Sequence, residues 1–139
     1  MMVSVSLFAV PTDSWIIERL GKVTGIGTAQ AVTENNDPNK GLGKTYLASV
    51  YFEVSSIDQS KFTQADVVGK GTGCGGCIEV YPSVEQAENR NLYLSKFDGT
   101  IFSSGGHIIF DTMVIRTSSK LTASEQKELE DLIIKVFKE

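Results

Sequence analysis

The chain has one histidine and two cysteines in 139 residues. That supply is too small for an all-Cys/His structural zinc site within one chain, and it leaves few of the usual nucleophile–base pairs. Only three prolines occur, and no Pro/Gly/Ser-rich stretch divides the chain. A single domain over residues 1–139 is therefore expected. There is no apolar run of about 18 residues, which excludes a transmembrane helix on hydropathy. Positive charge is also short: 13 Lys and Arg stand against 17 Asp and Glu, for a net charge of −4. A nucleic-acid partner is not expected, because phosphate neutralisation needs a cationic excess. What is present is ordinary for a globular domain, with 41% hydrophobic and 22% charged residues, enough for one core.

Periodicity and punctuation suggest the elements. Residues 2–10 alternate Val3, Val5 and Leu7 with Ser4 and Ser6, which fits an edge strand better than a signal peptide lacking a basic start. Pro11-Thr12-Asp13-Ser14 is N-cap chemistry, followed by Trp15, Ile16, Ile17, Leu20 and Val23 at helical spacing. Strands are expected over 26–32 and 46–54, joined as an antiparallel hairpin by a polar turn at 34–44. A short strand or helical turn is expected at 65–68. Gly71 to Gly76 reads as a loop feeding a strand over 77–81. Ser83 with Gln86, and Thr122 with Glu125, are capping boxes for two helices. The last of these helices should bury Leu129, Leu132, Ile133, Val136 and Phe137. Residues 107–117 are apolar and β-branched and suggest one central strand. Together these predict an α+β domain: a mainly antiparallel sheet with helices packed on one face, containing a split β-α-β unit of ferredoxin-like flavour.

Several constellations point to chemistry. Gly71-Thr72-Gly73-Cys74-Gly75-Gly76 formally matches G-x-G-x-x-G, but a dinucleotide fingerprint follows a strand and opens a helix, whereas this run precedes a strand. A tight turn, or a backbone nest for an anion at Gly71, Thr72 and Gly73, are the two readings. Cys74 and Cys77 have C-x-x-C spacing without the following helix that would lower a thiol pKa. Asn35, Asp37 and Asn39 alternate like the first ligands of a calcium loop, although Lys40 stands where that loop has glycine. An Asx-rich turn is the simpler account. His107 opens a strand, and a Cys77–His107 nucleophilic pair is conceivable across neighbouring strands. Glu53, Glu79 and Arg116 are polar residues within strands, expected on the sheet's exposed face. There they serve either as cross-strand charge pairs or as a polar binding face.

A set of phrases adds a resemblance. These include Trp15-Ile16-Ile17-Glu18-Arg19-Leu20-Gly21-Lys22-Val23, Ala31-Val32-Thr33-Glu34-Asn35-Asn36-Asp37-Pro38-Asn39, Gly75-Gly76-Cys77-Ile78-Glu79-Val80-Tyr81 and Leu121-Thr122-Ala123-Ser124-Glu125-Gln126. Over residues 14–138 the chain resembles a poorly characterised domain of Gram-positive bacteria, often the C-terminal part of predicted lipoproteins or encoded near mobile elements. That resemblance implies no catalytic residues. The lipobox cysteine expected of such lipoproteins is absent, and Cys74 stands where another residue type is expected.

The functional expectation is a non-catalytic binding module that recognises a protein or small ligand through its loops and sheet face, at Gly71, Thr72, Gly73, Glu53, Glu79, Arg116 and His107. Two alternatives stand beside it: a phage or mobile-element inhibitor of a bacterial defence system, and a thiol redox protein using Cys74 and Cys77. No cofactor is expected. A cytoplasmic location follows for the chain as it stands, with a cell-surface lipoprotein domain as the alternative where a leader has been removed. Pairing of an exposed strand 2–10 with a second copy would give a homodimer.

Overall fold

Thr12 opens the first helix as its sequence suggests, its hydroxyl accepting the Trp15 N–H at 3.1 Å. In the computed structural model, which describes residues 10–37, 45–103 and 105–139, this helix is α1, Asp13–Leu20. The expected strand at 2–10 lies outside the described residues, apart from Val10. Next come β1 (Ile26–Ala31), β2 (Ala48–Val54), the one-turn helix α2 (Val67–Lys70), β3 (Gly75–Val80), α3 (Val84–Ser95), β4 (Gly106–Phe110), β5 (Met113–Thr117) and α4 (Ala123–Phe137). Among the described residues the strands form one sheet in the order β1-β2-β3-β5-β4, every neighbouring pair antiparallel.

The expected α+β class is present. Since β3 and β4 are each antiparallel to β5, they run parallel to one another. Helix α3 joins them and β5 lies between, which is the split β-α-β arrangement. One feature differs from the sequence reading: 107–117 is not one strand but the hairpin β4–β5. Phe110 pairs with Met113 across a two-residue turn in which Asp111 has φ 56°. Aspartate tolerates this left-handed conformation, so the turn forms without the glycine that usually announces it.

Alternation in the strands divides the apolar residues between two faces. On the first, Val50, Phe52, Ile78, Val80, Met113 and Ile115 pack against Ile16 and Leu20 of α1 and Leu129, Ile133, Val136 and Phe137 of α4. Trp15 and Phe137 close this core with ring centroids 5.3 Å apart. Both α4 capping bonds form, Glu125 N–H to Thr122 Oγ1 at 3.2 Å and Thr122 N–H to Glu125 Oε1 at 2.8 Å. Leu132 departs from its expected burial and is 38% exposed.

The expected packing of helices on one face describes the main core. Helix α3 instead crosses the second face, where Ala87 and Leu94 meet Val114, Tyr81 and Ile109. The reason is again alternation: Val114 and Ile109 point away from the side that takes Ile115 and Ile108. Helix α2 also packs on β1 and β2. Its Val68 N–H donates to the Gln30 side chain at 2.9 Å. Among the described residues no helix is long and apolar enough to cross a membrane.

Candidate functional site

Antiparallel register places five side chains in one line across the second face. Gln30 faces Tyr51, Tyr51 faces Cys77, Cys77 faces Arg116, and Arg116 faces His107. The ends of this row are fastened to the flanking helices. Gln30 Oε1 accepts from α2, as above, and His107 turns both ring nitrogens toward α3 and the segment after it. Nδ1 lies 2.7 Å from Asn91 Oδ1, and Nε2 lies 2.9 Å from both Asp98 carboxylate oxygens. The middle of the row, Tyr51, Cys77 and Arg116, sits between the two helices.

The next row holds the charged centre. Glu79 is 5% exposed, and both of its oxygens are occupied. Oε1 accepts from the Tyr81 hydroxyl at 2.8 Å and Arg90 Nε at 3.0 Å. Oε2 accepts from Arg116 Nη1 at 3.0 Å and Arg90 Nη2 at 3.3 Å. Burial alone would raise the Glu79 carboxyl pKa. The Arg90 hydrogen bonds and the charges of Arg116 and Arg90, with help from Tyr81, outweigh it and hold the group below the usual carboxylate range. Glu79 and Arg116 do form the expected cross-strand pair. They do so beneath α3 rather than on an exposed surface, because Arg90 is delivered on the same helical stripe as Ala87 and Leu94.

The remaining expected residues are placed apart from this centre. Glu53 lies at the other end of β2 and pairs with Lys70 Nζ at 2.6 Å, tying α2 to the sheet. Gly71, Thr72 and Gly73 form a 3-10 turn with Cys74. Its carbonyls are taken by the protein itself: Gly73 O by Ser118 Oγ at 2.8 Å, and Cys74 O by Gln59 Nε2 at 2.8 Å. Asn35 is exposed and Asp37 is buried; Asn39 lies outside the described residues. The turn is built instead on Asn36, whose Oδ1 accepts from Thr33 N–H at 2.7 Å and whose Nδ2 donates to Ala31 O at 2.9 Å. Among the described residues no cluster of His, Cys, Asp or Glu could hold a metal ion.

Both cysteines are free thiols and fully buried. Cys74 Sγ donates to Gly71 O at 3.3 Å and Phe52 O at 3.5 Å. Cys77 Sγ lies 3.3 Å from Ser49 Oγ, and Tyr51 is its cross-strand neighbour. Burial, with Glu53 adding to it, pushes the Cys74 thiol up to about 11. Burial and the Glu79 charge push Cys77 up to about 12, against the pull of Arg116. The Cys77–His107 pair does not form. Arg116 stands between them in the register, putting them two strand spacings, roughly 10 Å, apart. Thiols with so little thiolate at neutral pH react slowly. In native protein both should label with an aromatic disulfide reagent at least ~100-fold more slowly than in urea-unfolded protein, as followed by thiolate absorbance. Rapid labelling of one native thiol would revive a redox role.

Sequence reasoning did not find Tyr51, Arg90, Tyr81, Asn91 or Asp98. Tyr51 had a usable signal, since it lies between Ser49 and Glu53 on the alternating polar side of β2. Arg90 had a weaker one, three residues after Ala87 and four before Leu94. Grooves of about 270 and 170 Å³, which share Ser56, Leu121 and Glu125, and a shallower one of about 410 Å³ along α4 at Lys127, Asp131 and Lys135 lie elsewhere; none of the three is lined by a residue of the Glu79 network. In comparisons with known proteins, the chain matches no family model, no curated protein and no solved structure.

Proposed function

We propose that this chain is a non-catalytic binding module that takes a small polar ligand on the second face of its sheet, between α2 and α3, with Tyr51 and Arg116 as the recognition residues. The observation that carries this reading is the cross-strand row from Gln30 to His107. Its two ends brace the flanking helices, and its polar middle lies between them. A buried carboxylate with two guanidiniums does not usually stabilise a fold better than apolar packing would. The same network gives Arg116 a fixed orientation, which lowers the entropy lost when a ligand binds. Nothing in this row pairs a nucleophile with a base: the Cys77 thiol stays protonated, and His107 is engaged by Asn91 and Asp98.

The test is a fragment screen read by amide chemical shifts of the full chain. Hits should move the signals of residues 49–53, 77–79 and 114–116, and Tyr51→Phe or Arg116→Lys should weaken them about 10-fold, the loss of one good hydrogen bond. Hits that cluster at Lys61 and Lys120, or that survive both substitutions, would overturn the assignment.

A further inference from the structure

A second polar cluster lies on the opposite face, where α4 meets the β4–β5 hairpin. Glu130 is 8% exposed although it is a carboxylate, and among the described residues it has no ion pair. Lys127, three residues earlier on the same helix, bonds Asp131 instead at 2.8 Å. The Thr117 hydroxyl is fully buried and has no hydrogen-bond partner among the described residues. Gln126 is held in one orientation, because its Nε2 donates to Ser118 O and Leu121 O, both at 3.1 Å. That leaves its Oε1 as an acceptor on the other side. All three side chains converge on Gly106. A β-carbon there would meet Thr117 Oγ1, Glu130 Oε2 at 2.9 Å and Gln126 Oε1 at 3.0 Å. A carboxylate and an amide oxygen thus share a confined space, with the Thr117 hydroxyl as the one donor among the three groups.

We infer that Glu130 takes up a proton while α4 is docked and shares it with the Gln126 side-chain oxygen, so that α4 is latched to the β4–β5 hairpin more firmly in mild acid than at neutral pH. Protonation turns a pair of facing acceptors into a donor and an acceptor, which removes an unpaired buried charge. The charged groups that act on Glu130 are Lys127 and Asp131 of α4 and His107 of β4; Arg116 of β5 points to the second face. Burial is the main influence and raises the carboxyl above its ordinary 4.5, with Lys127 and His107 opposing. A group raised in the folded state adds stability below its unfolded pKa, and that stability is lost as pH rises through the folded value.

The experiment compares the Tm of the full chain and of Glu130→Gln from pH 4 to pH 8, where the amide reproduces the neutral acid at every pH. The two should coincide near pH 4. The variant should melt about 3 °C higher at pH 8. A carboxyl-carbon NMR titration of wild type, with Glu130 assigned by its loss in the variant, should show a midpoint above 4.5. A Tm difference that does not change with pH, or a midpoint at or below 4.5, overturns the latch. So does a wild-type deficit at pH 8 that disappears on adding potassium or magnesium, since that would mean a bound cation rather than a proton.

Discussion

Glu79→Leu lowers the unfolding free energy by about 3–5 kcal/mol, the usual result of leaving buried charge uncompensated. The substitution removes the only acceptor given to Arg90 among the described residues and takes one away from Arg116, while keeping apolar volume in place. It also frees the Tyr81 hydroxyl. The contrasting variant replaces the whole network at once: Glu79→Leu, Arg90→Leu and Arg116→Met together should lie within about 1–2 kcal/mol of wild type, because apolar substitution of a complete buried ion group is often neutral. Urea unfolding of the two variants separates the cases. If the single and the triple variants lose the same amount, the loss comes from Glu79 packing and not from its charge. The network also sets an acid limit. The Glu79 carboxyl is lowered in the folded state, so its contribution is complete above the ordinary carboxylate value of 4.5 and is lost as pH falls through the folded value. The gap between wild type and Glu79→Gln should therefore narrow below pH 4.5.

Gly76→Ala should cost about 3 kcal/mol or more, or prevent folding at 37 °C. A β-carbon at Gly76 would strike the Arg116 carbonyl oxygen on one neighbouring strand, and it would lie 3.1 Å from Phe52 Cε1 and nearer still to Cζ. Phe52 is among the largest fully buried side chains, so it cannot move aside without opening the main core. The other glycines of the apparent G-x-G-x-x-G pattern answer to different causes. Gly71 has φ 73° and ψ −163°, a backbone region that L side chains avoid, with open space around its β position. Gly71→Ala should cost about 1–3 kcal/mol as backbone strain. Gly73 has neither constraint, its nearest neighbour being Phe62 at an ordinary 3.5 Å, and Gly73→Ala should change stability by less than about 1 kcal/mol. Thermal melts of the three variants should rank Gly76, Gly71, Gly73. A larger loss at Gly73 than at Gly76 would show that the turn carries a backbone role beyond packing.

The glycine series also marks where pattern reading stops. A dinucleotide fingerprint and a packing requirement place glycines at the same spacing, and only the partners tell them apart. Gly76 is small because Phe52 and the Arg116 carbonyl approach it, and these come from positions 24 residues earlier and 40 residues later in the chain. The same holds for Glu79. From sequence it was a polar residue in a strand with an unknown partner. Arg116 could be guessed as a cross-strand mate, whereas Arg90 reaches it only because α3 crosses the second face with Ala87 and Leu94 inward.

Local chemistry, in contrast, was legible. Thr12 and Thr122 cap their helices because their hydroxyls satisfy amides within three residues, an interaction written wholly in adjacent positions. The alternation of Val50, Phe52 and Val54 set the inner face of β2 for the same reason, since pleating reverses side chains at every residue whatever lies beyond. The apolar spacing of Leu129, Ile133 and Val136 likewise marked the inner side of α4. Tertiary structure decided the rest: the Asp111 turn that breaks 107–117 into two strands, the side of the sheet that α3 covers, and the row that joins Gln30, Tyr51, Cys77, Arg116 and His107. Each depends on the register between segments tens of residues apart. Register is a balance of packing over a whole face, and it is not encoded in any single stretch of chain.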